Sequence, residues 1–117
     1  MGCVAGQYDI LADQGATFSR NIHWYDPDGT PKNITGYSAR MQVRQRYVST
    51  STVLSLVSPT DITLGGSAGT IVVTVSATSM AAVSSGDYVY DLEMVSSNGV
   101  VTRLLQGTFT VRPEVTR

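Results

Sequence analysis

Between Tyr37 and Arg44 the chain alternates without a break: Tyr37, Ala39, Met41 and Val43 fall on one side, Ser38, Arg40, Gln42 and Arg44 on the other. A period of two over that length places every apolar side chain on one face of a pleated strand and is incompatible with a helix. The same pattern recurs at short intervals. "QYDIL" (Gln7–Leu11) reads as a first strand, and "TFSRNIHWYD" follows with Phe18, Ile22 and Trp24 on one face. Arg20 interrupts that inward set and is expected to lie near a sheet end or to run its stem past the core to water. Further strands are expected around Val53–Val57, as the pair "ITL" and "TIVVTVS" across a glycine-rich link, as "YVYDLEMV", and as "VVTRLLQGTFTVRPEV" with a bulge at Gly107.

The segments between these runs carry turn chemistry. "DPDG" presets φ at Pro27 and lets Gly29 take a positive φ, and Asn98-Gly99 suits a two-residue type I′ hairpin. "ATSMAAV" is the one helical candidate, a single turn capped by Thr78 or Ser79. Seven or eight short strands with at most one helical turn predict an all-β fold. The expected architecture is a single antiparallel β-sandwich, immunoglobulin-like in layout but without the Cys–Trp–Cys core of antibody domains. With 117 residues and no internal repeat, residues 1–117 are expected to form one domain with flexible arms at about 1–6 and 113–117.

Composition narrows the function classes. The formal net charge is −1, which argues against a nucleic-acid binder, and no apolar run is long enough to cross a membrane as a helix. "MGCVAGQ" lacks the charged and apolar regions of a secretory signal and the Ser or Thr of a myristoylation pattern. Cys3 is the only cysteine, so no intrachain disulfide and no cysteine-built metal site is expected, and a reducing cytosol is compatible with assembly. Seven of the eight basic residues are Arg, the cation whose planar fork suits contact surfaces.

Catalytic constellations are sparse, and no cofactor, metal or catalytic residue is expected. His23 is the lone histidine, without an evident acidic partner, and reads as a strand residue on the solvent or partner face. "DPDG" has no bidentate Glu downstream for a calcium loop, "GGSAGT" has no phosphate-loop Lys, and Gly-x-Ser-x-Gly is absent. Asn33-Ile34-Thr35 matches a glycosylation sequon, which matters only with secretion. Arg40, Arg44 and Arg46 form a basic ridge, and Asp91 and Glu93 alternate in the same way on another run. If the two strands are neighbours, cross-strand pairs would neutralise the ridge; the first expectation is a solvated or paired face, then a protein interface, and last a nucleic-acid backbone.

Taken in order, "YDI…QGATF", "DGTPKNITGYSARMQVR", "ITL…GTIVVTVS", "YDLEM" and "GTFTV" resemble small β-sandwich virion proteins of phages. Similar modules stand at the N-terminus of siphophage upper baseplate proteins and among capsid decoration (cement) proteins. The resemblance spans about Tyr8 to Arg117 and rests on fold markers. It implies a non-enzymatic structural subunit of the virion, assembled in the bacterial host cytoplasm and present in many copies. The first expectation is a decoration protein that binds the major capsid protein at subunit junctions and stabilises the shell. The alternative is a tail or baseplate component, an adaptor for the receptor-binding apparatus. Partners would then be virion proteins or further copies of the chain, with no nucleic acid and no membrane. The expected contact residues are Met1, Gly2, Cys3 and Val4 at one end, Arg112, Glu114 and Arg117 at the other, and the ridge of Arg40, Arg44 and Arg46.

Overall fold

The computed structural model describes residues 6–113. Among the described residues nine strands form two packed sheets: β1 (Gly6–Gln7), β2 (Ile10–Asp13), β3 (Phe18–His23), β4 (Ser38–Arg44), β5 (Leu54–Val57), β6 (Ile62–Leu64), β7 (Thr70–Val75), β8 (Gly86–Val95) and β9 (Val101–Arg112). The larger sheet runs β1-β9-β8-β4-β5, with β2 also on β9; the smaller runs β3-β7-β6. This is the immunoglobulin-like β-sandwich expected from the alternation.

The inward positions are those the period-two pattern selects. Ala39, Met41 and Val43 on β4, Tyr88, Tyr90, Leu92 and Met94 on β8 and Phe109 and Val111 on β9 line the inner face of the larger sheet, all buried. Phe18, Ile62, Ile71, Val73 and Val75 close the core from the smaller sheet. Phe18 meets Phe109 edge-on across the interlayer gap, with ring centroids 5.4 Å apart. Each buried tyrosine finds an acceptor, as a phenol removed from water requires. The Tyr88 hydroxyl donates to the Ser84 carbonyl at 2.6 Å, a tyrosine corner at the start of β8, and that of Tyr90 donates to the Tyr8 carbonyl. Arg20 behaves as its amphipathic stem dictates: the guanidinium lies 4.9 Å from the Phe18 ring centre and donates to the Leu11 carbonyl at 2.8 Å.

Several local expectations need correction. The first strand divides at Tyr8-Asp9, because the Asp9 carboxylate, and not a backbone carbonyl, accepts the Thr108 N–H at 3.1 Å. β1 and β2 run parallel to β9, in the register Ile10↔Phe109 to Asp13↔Arg112, so the larger sheet is mixed and not wholly antiparallel. The chain leaves β2 for the opposite sheet, and β9 later returns beside it in the same direction. The β8–β9 connection is a three-residue loop, not a type I′ turn. Gly99 N–H donates to Ser96 O and Ser96 N–H to Val100 O, both at 2.9 Å, with positive φ at Gly99 alone. The bulge falls at Leu104, where the register steps from Leu92↔Leu105 to Glu93↔Arg103. Gly107 is regular strand instead. It lacks a side chain because a Cβ there would land on the Tyr8 carbonyl and 2.8 Å from Asp9 Oδ1. The helical turn is α1 (Ala77–Ala81), and Ser76, not Thr78 or Ser79, caps it by accepting the Ser79 N–H at 3.2 Å.

Candidate functional site

β4 is flanked by β5 and β8, and the solvent face of this trio carries Arg40, Arg44, Asp87, Asp91 and Glu93. The antiparallel register puts Arg40 opposite Glu93 and Gln42 opposite Asp91, while β9 brings Arg103 opposite Glu93. Side chains directly opposite on one face are within reach of each other, so the charges pair. Arg40 Nε donates to Glu93 Oε1 at 2.7 Å, and Arg103 Nε approaches Asp91 Oδ2 to 3.3 Å. The carboxylates lie beneath the guanidiniums: Glu93 is 22% exposed, against 52% for Arg40 and 54% for Arg103. Partial burial pushes the Asp91 carboxyl above its ordinary value, and the neighbouring Glu93 charge adds to it; Arg103, Arg44 and Arg40 pull the other way without cancelling the effect. Arg40, Gln42, Asp91 and Glu93 surround a shallow hollow of about 290 Å3.

The expected ridge is therefore not three equivalent free cations. Arg44, half-buried, donates to the Ser49 carbonyl at 2.6 Å and to Gln42 Oε1 at 2.9 Å. β4 ends at Arg44, so Arg46 does not continue the strand face but stands exposed in the following turn. Arg112 forms a two-pronged pair with Asp13 across β9 and β2, at 2.7 and 3.1 Å. That pair holds the Asp13 carboxyl below its usual range. Met1, Gly2, Cys3, Val4, Glu114 and Arg117 lie outside the described residues. His23 is exposed on β3, its ring stacked on Tyr25 at 6.0 Å. "DPDG" forms a turn closed by Gly29 N–H to Asp26 O at 2.9 Å, with Asp28 bonded to Thr30. Among the described residues, no three His, Cys, Asp or Glu side chains gather closely enough to hold a metal ion.

Two features of the surface have no counterpart among the residues singled out from the alternation. Arg103 is the fourth member of the charge network, after Arg40, Asp91 and Glu93, visible only once the Leu104 bulge sets its register against Glu93. Tyr47 and Val48 are the other: apolar side chains at the tip of the β4–β5 connection, 73% and 86% exposed. Their signal was present, since "RYVS" puts an aromatic and a β-branched residue where a turn ordinarily carries small polar ones.

No protein-family model matches the chain, and no curated protein matches it. Among solved structures it is similar to a chain described in work on multimeric cell-adhesive interactions of VGSC beta subunits. The two are 12% identical, with 99% of this chain and 98% of the other covered at a TM-score of 0.43.

Proposed function

We propose that this chain is a non-enzymatic bacteriophage virion structural protein, a capsid decoration subunit that binds the shell where capsid subunits meet. The observation that carries the reading is how the surface is used. Arg40, Arg103 and Arg112 are engaged by Glu93, Asp91 and Asp13 of the same subunit, whereas apolar side chains stand in water on loops (Tyr47, Val48 and Val100), on the edge strand β5 (Val57) and at the start of β9 (Val101). Internal charge pairing favours a self-contained, stiff module, and exposed apolar groups favour burial against a partner. The similarity of "DGTPKNITGYSARMQVR", "YDLEM" and "GTFTV" to phage sandwich modules supplies the context.

A subunit of this kind works by mass action. Each copy binds the assembled shell and not its dissociated parts, so saturation raises the free energy of disassembly. Near-neutral net charge removes a long-range barrier to packing many copies side by side. Quantitative mass spectrometry of purified particles tests the reading: hundreds of copies per particle are expected. A count of a few to tens would move the protein to the tail or baseplate, and its absence from particles would overturn the proposal. Thermal release of DNA should occur at a lower temperature from shells lacking the protein, and equal release would refute the stabilising role.

A further inference from the structure

The β4–β5 connection is a turn built by its flanks, with no help from its tip. Ser49 N–H donates to the Arg46 carbonyl at 3.1 Å, and Arg46 N–H returns to Ser49 Oγ at 3.2 Å. Arg44 clamps the far side through the Ser49 carbonyl at 2.6 Å while its second nitrogen holds Gln42. Tyr47 and Val48 occupy the two central positions without a positive φ at either. They close no hydrogen bond of the turn, yet they are the two most exposed large apolar side chains among the described residues, at 73% and 86%. Exposure of that size costs solvation and contributes nothing to the fold.

The turn is also preordered. Its conformation is fixed by bonds already present in the free subunit, so docking would not have to order it. Arg46 stands exposed at its base with no ion pair among the described residues, whereas Asp91 and Glu93 on the adjacent sheet face are engaged by Arg103 and Arg40. An aromatic residue and an arginine beside a projecting aliphatic one have the composition of an interface anchor. The flanking charge sets the partner's sign: an apolar pocket rimmed by carboxylates. A second copy of this chain fits less well: its Asp91 and Glu93 are already paired, and Asp9, Asp28, Asp61 and Asp87 already accept hydrogen bonds within the subunit.

We propose that the Tyr47–Val48 turn is a knob that seats in an acid-rimmed apolar pocket of a virion protein, with Arg46 meeting the rim. This deepens the virion reading and rests on it. The test is co-sedimentation of the labelled full chain with purified heads lacking the protein and, separately, with purified tails. It compares wild type, the double variant Tyr47→Ser/Val48→Ser, Val48→Asp and Arg46→Glu, each first checked for an unchanged melting transition. The apolar variants are expected to weaken particle binding at least about 10-fold. Arg46→Glu is expected to slow association and to lessen its salt dependence. Wild-type affinity in the apolar variants overturns the knob and leaves the virion reading standing. Loss of binding confined to tails supports the knob and removes the capsid placement. Wild type binding neither particle overturns the virion reading and the partner with it. If the variants instead abolish self-association measured by light scattering without particles, the pocket belongs to a second copy and the assignment is wrong.

Discussion

Gly107→Ala is the sharpest test of how β1 and β2 are fastened to β9. Gly107 has an ordinary strand φ, so the expected damage is steric and not conformational. The new Cβ would fall on the Tyr8 carbonyl oxygen, 2.9 Å from its carbon and 2.8 Å from Asp9 Oδ1, and backbone cannot yield as a flexible side chain would. Three hydrogen bonds meet at this point: Tyr8 N–H to Gln106 O at 3.0 Å, Thr108 N–H to Asp9 Oδ1 at 3.1 Å, and the Tyr90 hydroxyl to Tyr8 O. At about 1 kcal/mol each they total about 3 kcal/mol, and a stranded Tyr90 hydroxyl adds about 1 kcal/mol or more. Replacing glycine lowers the entropy of the unfolded chain and offsets about 0.4–1 kcal/mol. The net loss is about 2–4 kcal/mol, a fall in Tm of roughly 8–16 °C for a domain of this size. Urea denaturation followed by tryptophan fluorescence, with calorimetry alongside, measures both quantities. Tyr90→Phe alone should cost about 1 kcal/mol, and combined with Gly107→Ala it should add less than that, because the two changes share the Tyr8 carbonyl. A Gly107→Ala protein within about 0.5 kcal/mol of wild type would refute the close approach at Gly107.

Other expectations follow from the same geometry. A double-mutant cycle on Arg40 and Glu93 should give a coupling of about 1 kcal/mol or less that shrinks with added salt; a larger, salt-insensitive value would mean the face is drier than described. Asp91 has a folded-state pKa raised from its ordinary 3.8, so the folded chain holds a proton that the unfolded chain has lost, and this group's contribution to stability falls as pH rises through that window. Asp91→Asn removes that slope, and its stability relative to wild type should improve as pH increases across the window; a pH-independent difference would contradict the assignment. Asp9 and Asp13 act in the opposite sense in both proteins, losing stability as pH drops below 3.8, and cancel in the comparison. Leu92→Ala, at a fully buried site, should cost about 2–5 kcal/mol in the same denaturation assay, whereas a loss below about 1 kcal/mol would mean that the core collapses around the gap.

The strands that could be read directly are those with one buried face. Met41 and Leu92 announce their positions because a one-residue slip would turn each into water. Pairing partners were less legible. Gln7–Asp13 reads the same whether its neighbour runs parallel or antiparallel, and only the return of β9 along that edge decides. Asn98-Gly99 suggested the tighter hairpin, but Ser96 and Val100 close the pair one residue further out, and glycine alone takes the left-handed conformation. The charged face was half visible. The alternation of Asp91 and Glu93 places carboxylates opposite Arg40 only if the two strands are neighbours, as they are, while Arg103 enters through a register shift that the alternation does not show. Gly107 makes room for the Tyr8 backbone, and in sequence such a glycine leaves the same trace as one that bends a strand.

The parallel seam between β2 and β9 has a mechanical consequence. Gly6 enters beside Leu105, and Arg112 leaves beside Asp13, so the chain's two ways out of the sandwich point in opposite directions along one seam. Tension applied through those exits does not peel the strands apart bond by bond. It drags β2 along β9, loading the rungs from Ile10↔Phe109 to Asp13↔Arg112 together, with the Arg112–Asp13 pair at the last of them. A hairpin opened at its free end gives way like a zipper, but this seam must fail in shear. Resistance to pulling is thus set by the join between the first strands and the last one, and far less by the hydrophobic layer that holds the rest of the molecule together.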